Sequence, residues 1–275
     1  MKRIRLLLLM WFVGIQLFAQ TYDRLITNAM NAIEKDSLYQ AEDYLKQALQ
    51  LEPANMRNAL LFSNLGTVQR RVGKNNEALE SYSLALNLTP YSITILLNRA
   101  SLYLDMDYLD KAYVDYCNVI DLDPKNQEAL QFRAYIYMRR RQYLDARNDY
   151  QNLLELVPND KVARIGMAMA NLKLQRYRES LEEFNRLIVD YPKDASLLKA
   201  RAELEVEMNS MDLALLDLET AVKMTPGDAE IYVMCGNIYL AQGKNREAYV
   251  AFEKAIELGI PRPELQEQLK ASKKK

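Results

Sequence analysis

The stretch ALLFSNLGTVQRRVGKNNEALESYSLALNLTPYS, Ala59 to Ser92, reads as helix, tight turn, helix. In its first half Phe62, Leu65, Gly66 and Gln69 fall three and four residues apart, on one face of a helix. Gly73 to Asn75 make the turn, and Ala78, Tyr82 and Ala85 share a face of the second helix. Pro90 stops that helix, because proline lacks an N–H and its ring crowds the preceding turn.

The same unit recurs on both sides. Pro90, Pro124, Pro158, Pro192 and Pro226 are 34 residues apart; Pro53 precedes them by 37 and Pro261 follows by 35. A fixed period of this size predicts an all-α solenoid of stacked helix pairs. Small residues repeat with it. The first helices carry Gly66, Ala100, Ala134, Ala168, Ala202 and Gly236. The second helices carry Ala41, Ala78, Ala112, Ala146, Ser180, Ala214 and Ala248. Helix axes approach closely only where side chains are small. Tyr82, Tyr116, Tyr150, Phe184, Leu218 and Phe252 supply the bulk that fills the space between units.

With these positions in place, the chain resembles the tetratricopeptide-repeat (TPR) family. The resemblance implies seven units, at 22–55, 59–92, 93–126, 127–160, 161–194, 195–228 and 229–262, and a short capping helix with a basic tail over 263–275. About three extra residues lie between Pro53 and Asn58. Two departures stand out. Arg164 holds the fourth position of its unit, where the family has Trp or similar. Asn171 and Glu205 hold the eleventh, where Tyr103, Tyr137 and Tyr239 match the family. Looser packing or a special surface is expected in the fifth and sixth units.

The resemblance further implies a right-handed superhelix whose concave face is lined by the second, fifth, ninth and thirteenth positions of the first helices. Ile26, Met30, Leu97, Ile165, Met169 and Val233 are its apolar members, with Tyr135 and the polar Gln131 between them. Arg71, Asp105, Arg139 and Lys173 share the thirteenth position and form a charged row. Two readings of the row stand side by side: solvated charges favoured by the helix macrodipole, or a basic strip beside Tyr135 and Met169 for an acidic or C-terminal peptide. The carboxylate clamp of chaperone-binding members is not expected. Asn64 and Asn98 match one clamp position, but no three adjacent units supply the full set.

The rest of the composition narrows the function. The chain of 275 residues has a formal charge of −1, which is no footprint for nucleic acid. It has no histidine, which removes His-based catalytic pairs and His-ligated metal sites. Cys117 and Cys235, four units apart, read as small apolar side chains and not as a disulfide. No phosphate loop, paired-Cys metal spacing or nucleophile elbow occurs. The expectation is a protein or peptide binder without cofactor and without catalysis. A groove for a small ligand or glycan is the alternative, weakened by Tyr135 being the one strong aromatic at an inward position.

Met1 to Arg5 is basic, Leu6 to Ile15 is apolar throughout, and Leu17-Phe18-Ala19 ends in a small residue. This is the pattern of a secretory signal peptide over 1–19. A run of about ten apolar residues is short for a span, which needs about 20. The ending resembles Bacteroidetes signal peptides, so a periplasmic or surface protein of a Gram-negative bacterium is expected, with no membrane span after cleavage. Asp36-Ser37-Leu38 fits a Bacteroidetes O-glycosylation pattern or an ordinary turn.

Overall fold

The computed structural model describes residues 21–273. The export signal read over 1–19 lies outside the described residues, as do Lys274 and Lys275. The described chain is helical, in seven pairs. These are α1 (21–34) and α2 (Leu38–Leu51), α3 (Asn58–Arg71) and α4 (Asn75–Leu88), and α5 (Ile93–Asp105) and α6 (Leu109–Leu122). They continue as α7 (Gln127–Arg139) and α8 (Tyr143–Leu156), α9 (Lys161–Lys173) and α10 (Tyr177–Asp190), α11 (Ala195–Glu207) and α12 (Met211–Met224), and α13 (Ala229–Ala241) and α14 (Asn245–Glu257). A 3-10 turn, Arg262–Leu265, leads into α15 (Gln266–Ser272).

Every pair turns in the same way. The fifteenth residue of each repeat, Asp36, Gly73, Asp107, Arg141, Gln175, Asn209 and Gly243, has φ between 56° and 80°. The residue after it donates its N–H to a carbonyl five positions back, as Lys74 does to Gln69 at 2.8 Å and Arg176 to Asn171 at 2.8 Å. That bond satisfies a carbonyl the helix end would leave open. At the later repeat boundaries the cap is a side chain, whereas Arg57 and Ser92, ahead of α3 and α5, make no such bond. Asp160 accepts from the N–H of Ala163, Asp194 from Ser196 and Asp228 from Glu230.

Contacts divide the chain into two compact units, one ending at Arg133 and one starting at Ala134, so the division falls within α7. In the first unit α2 packs on α3, α3 on α4, α4 on α5, and α5 on α6, while α3 also touches α5. In the second, each helix from α8 to α14 packs on the next, and α15 covers α14. All seven small residues of the second helices, Ala41 to Ala248, are fully buried. Tyr82, Tyr116, Tyr150, Phe184, Leu218 and Phe252 are buried as well. Full burial of such a side chain contributes roughly 1.5–3 kcal/mol. At Gly66 and Gly236 the neighbouring ring comes closer than the alanine repeats allow: a methyl group there would lie 2.8 Å from Tyr82 and 2.4 Å from Phe252. At the C-terminal end Leu265 and Leu269 close the core formed by Ala248, Phe252 and Ala255. No helix among the described residues is long and apolar enough to cross a membrane.

Candidate functional site

Arg71, Leu97, Asp105 and Gln131 belong to the first compact unit; Tyr135, Arg139, Ile165, Met169 and Lys173 belong to the second. Three of the four charges at the thirteenth position hold partners on neighbouring repeats, and Arg139 bonds within its own helix. Arg71 donates to Asp36 at 2.6 Å, and Asp105 accepts from Arg70. Lys173 donates to Glu203 at 2.6 Å, and this pairing holds its ammonium above the usual lysine range. Arg139 reaches the Tyr135 hydroxyl at 2.9 Å, with its guanidinium 5.9 Å from the ring centre. Exposed pairs of this kind contribute about 0–1 kcal/mol each. Leu97 and Gln131 are half-buried, and Ile165 and Met169 lean on the core of the fifth repeat.

The departures at Arg164, Asn171 and Glu205 have distinct solutions. Arg164 is half-buried and donates to Glu183 at 2.5 Å and Asp190 at 2.6 Å, so an ion-paired cluster replaces an aromatic. Buried Asn171 accepts from Arg147 at 3.1 Å. Glu205 is buried, and one of its carboxylate oxygens has no hydrogen-bond partner. Burial and the nearby Asp217 carboxylate push its pKa up to about 7, against the opposing pull of Arg201.

An element not anticipated from the residues is a repeated internal ion pair. Arg99 grips Asp115 with two bonds of 2.8 Å and reaches Ser83 of the previous repeat at 3.1 Å. Arg201 grips Asp217 at 2.7 and 2.6 Å and reaches Asn185 of the previous repeat at 2.7 Å. The signal was present as Arg and Asp sixteen residues apart, in Arg99/Asp115, Arg133/Asp149 and Arg201/Asp217.

The first unit also holds a recess of about 690 Å³ on the side formed by its first helices. Ile26 of α1, Leu60 and Ser63 of α3, and Thr94 and Ile95 of α5 line it, with Met56 at its edge. Met56 is 80% exposed and Leu60 63% exposed, so apolar surface faces solvent at the recess. Ser63 is buried, and its hydroxyl has no partner among the described residues. The recess therefore offers an apolar floor with a hydrogen-bonding group, which suits a peptide side chain and its adjoining amide.

Antiparallel helix pairs closed by identical turns, with an apolar recess on the first-helix side, define an all-α repeat protein of the solenoid class. Tetratricopeptide-repeat models match residues 137–204, 93–126 and 229–258. A crystal structure of a tetratricopeptide repeat protein from Parabacteroides merdae is 38% identical, covers 93% of this chain and 100% of its own, and superposes with a TM-score of 0.73. The chain belongs to the tetratricopeptide-repeat family. YrrB, described as a TPR protein with an unusual peptide-binding site, is 18% identical over 71% of this chain and 100% of its own, with a TM-score of 0.53, a likeness of fold. Mouse sperm-associated antigen 1 is 33% identical over 84 residues, which are 29% of this chain and 9% of that protein. The chain thus spans less than a tenth of that curated relative.

Proposed function

We propose that the protein is an exported scaffold that binds a peptide or protein segment on the first-helix faces of its repeats and serves assembly at the cell envelope of a Gram-negative bacterium. The observation that carries the binding reading is the recess beside Met56 and Leu60, where apolar surface is exposed next to the unpartnered Ser63 hydroxyl. Family membership supports a protein partner, and the peptide-binding site of YrrB gives a precedent on this fold. The basic n-region and apolar run at the N-terminus support export. The second-unit residues Tyr135, Arg139, Ile165, Met169 and Lys173, together with Arg71, Leu97, Asp105 and Gln131 of the first, extend the proposed binding faces.

A crosslinked pull-down from the cell envelope tests this, with the purified protein as bait. One comparison variant carries Leu60→Glu with Met56→Glu; another carries Tyr135→Ala, Arg139→Glu and Lys173→Glu. A partner that is captured by the native protein and lost with either variant is the expected result. Equal capture by all three would move the binding site away from the first-helix faces. Absence of any envelope partner would sink the scaffold reading.

A further inference from the structure

The guanidinium clusters follow one rule. Arginine at the seventh position of a repeat lies in the groove beside the second helix of the repeat before it and touches that repeat's twenty-fifth residue. Arg99 meets Ser83 in this way, Arg201 meets Asn185, and Arg133 reaches the Cys117 sulfur at 3.8 Å. In the fifth repeat the seventh position is Met167, and Arg164, one turn earlier, supplies the cation by pairing with Glu183.

The second repeat, with Leu65 at that position, lacks the arginine, and so does the seventh repeat. Its seventh residue is Cys235, and its twenty-third is Ala251 where the third and sixth repeats have Asp115 and Asp217. The twenty-fifth residue of the sixth repeat is Glu219, an anion in the place that elsewhere receives arginine. Glu219 has no ion-pair or hydrogen-bond partner among the described residues. Between α12 and α14 a groove of about 850 Å³ opens, with Val222, Cys235, Tyr239 and Val250 among its apolar walls and Glu219 at its side. The Glu219 charge acts on the groove floor: it adds to burial in raising the pKa of both Cys235 and Tyr239.

We propose that this groove receives an arginine side chain of a partner protein, with its guanidinium held by Glu219 and its methylenes lying along Val222, Cys235 and Tyr239. The occupant is argued from the Glu219 carboxylate standing in the register that meets an internal arginine in other repeats, with Glu247 a second carboxylate on the lining and Lys254 already paired with Glu257 at 2.9 Å. Lys223 and Arg246, exposed at the mouth and without partners among the described residues, select an acidic residue beside that arginine. This surface opens between the second helices α12 and α14 over a floor from α13 and is separate from the recess of the first unit, so it goes beyond the function proposed above.

The test is an NMR titration of the protein, with labelled valine methyl groups, using a capped alanine-based peptide that holds one arginine next to one aspartate. The control peptide has norleucine in place of arginine. The arginine peptide is expected to shift the Val222 and Val250 signals saturably, and norleucine to weaken binding about three- to tenfold. Glu219→Gln, a change at an exposed position, is expected to give the same loss. Cys235→Arg with Ala251→Asp restores the internal plug and should abolish the shifts. Equal response to the two peptides, indifference to Glu219→Gln, or no shift at millimolar peptide would each overturn the proposal.

Discussion

Tyr150 of the fourth repeat lies flat against Gly166 of the fifth: a methyl group on Gly166 would sit 2.2 Å from the Tyr150 Cζ and within 2.6 Å of both neighbouring ring carbons. Tyr150 is buried, and burial pushes its hydroxyl pKa up to about 12. Gly166→Ala sets two effects against each other. Alanine favours the helix by about 1 kcal/mol, while overpacking costs about 1–3 kcal/mol. The closeness of three ring atoms decides for the second, so a net destabilisation of about 1–2 kcal/mol is expected by denaturant titration. Tyr150→Leu in the same background should recover part of it, giving a non-zero coupling in a double-mutant cycle.

Gln175 occupies the left-handed turn position at φ 59°, where Gly73 and Gly243 stand in other repeats. A side chain there costs steric energy that glycine avoids. Gln175→Gly should therefore raise stability by about 0.5–1 kcal/mol, against the usual effect of adding glycine. A melting temperature that falls would show that the Gln175 side chain makes a stabilising contact outweighing its backbone strain.

Asp115 is buried, with Arg99 holding both of its oxygens. Arg99→Met leaves that carboxylate uncompensated and should cost about 3–5 kcal/mol. Adding Asp115→Leu removes the stranded charge and should restore most of the loss. Calorimetric melting of the two variants separates a pair retained for stability from one that merely satisfies itself.

Glu205 gives a pH dependence with a definite sign. Its folded pKa, pushed up to about 7, lies above its ordinary value of 4.5. The folded state holds the proton more tightly, so Glu205 lowers stability as pH rises from about 4.5 to about 7, by roughly 3 kcal/mol in total. Glu205→Gln should melt higher than the native protein at pH 8 and approach it at pH 5. Parallel pH profiles for the two proteins would mean that the carboxyl titrates normally.

What the residues revealed depended on repetition. The proline spacing and the recurring Ala and Tyr positions carried the helix-pair fold, because seven copies average out the ambiguity of any one. The Tyr150–Gly166 contact was not legible, since glycine occurs once at the sixth position of a repeat. The thirteenth-position charges could be listed but not partnered: Arg71 and Lys173 are long side chains, and which acid they meet depends on the stagger of neighbouring helices. The recess near Met56 escaped notice for a related reason. Met56 lies in the three-residue insertion, where the period is broken and position numbers lose their meaning. Glu205 was recognised as a departure at its position, but its burial depends on α12, which brings Asp217 close.

The left-handed turn bonds keep their accounts local. Each first helix closes its C-terminal carbonyls within its own turn, and at the later boundaries a capping side chain serves the next helix. The links between repeats are then made by side chains, without a shared backbone ladder. A whole repeat can accordingly be gained or lost without orphaning a peptide group, and the natural step in the length of such a chain is 34 residues.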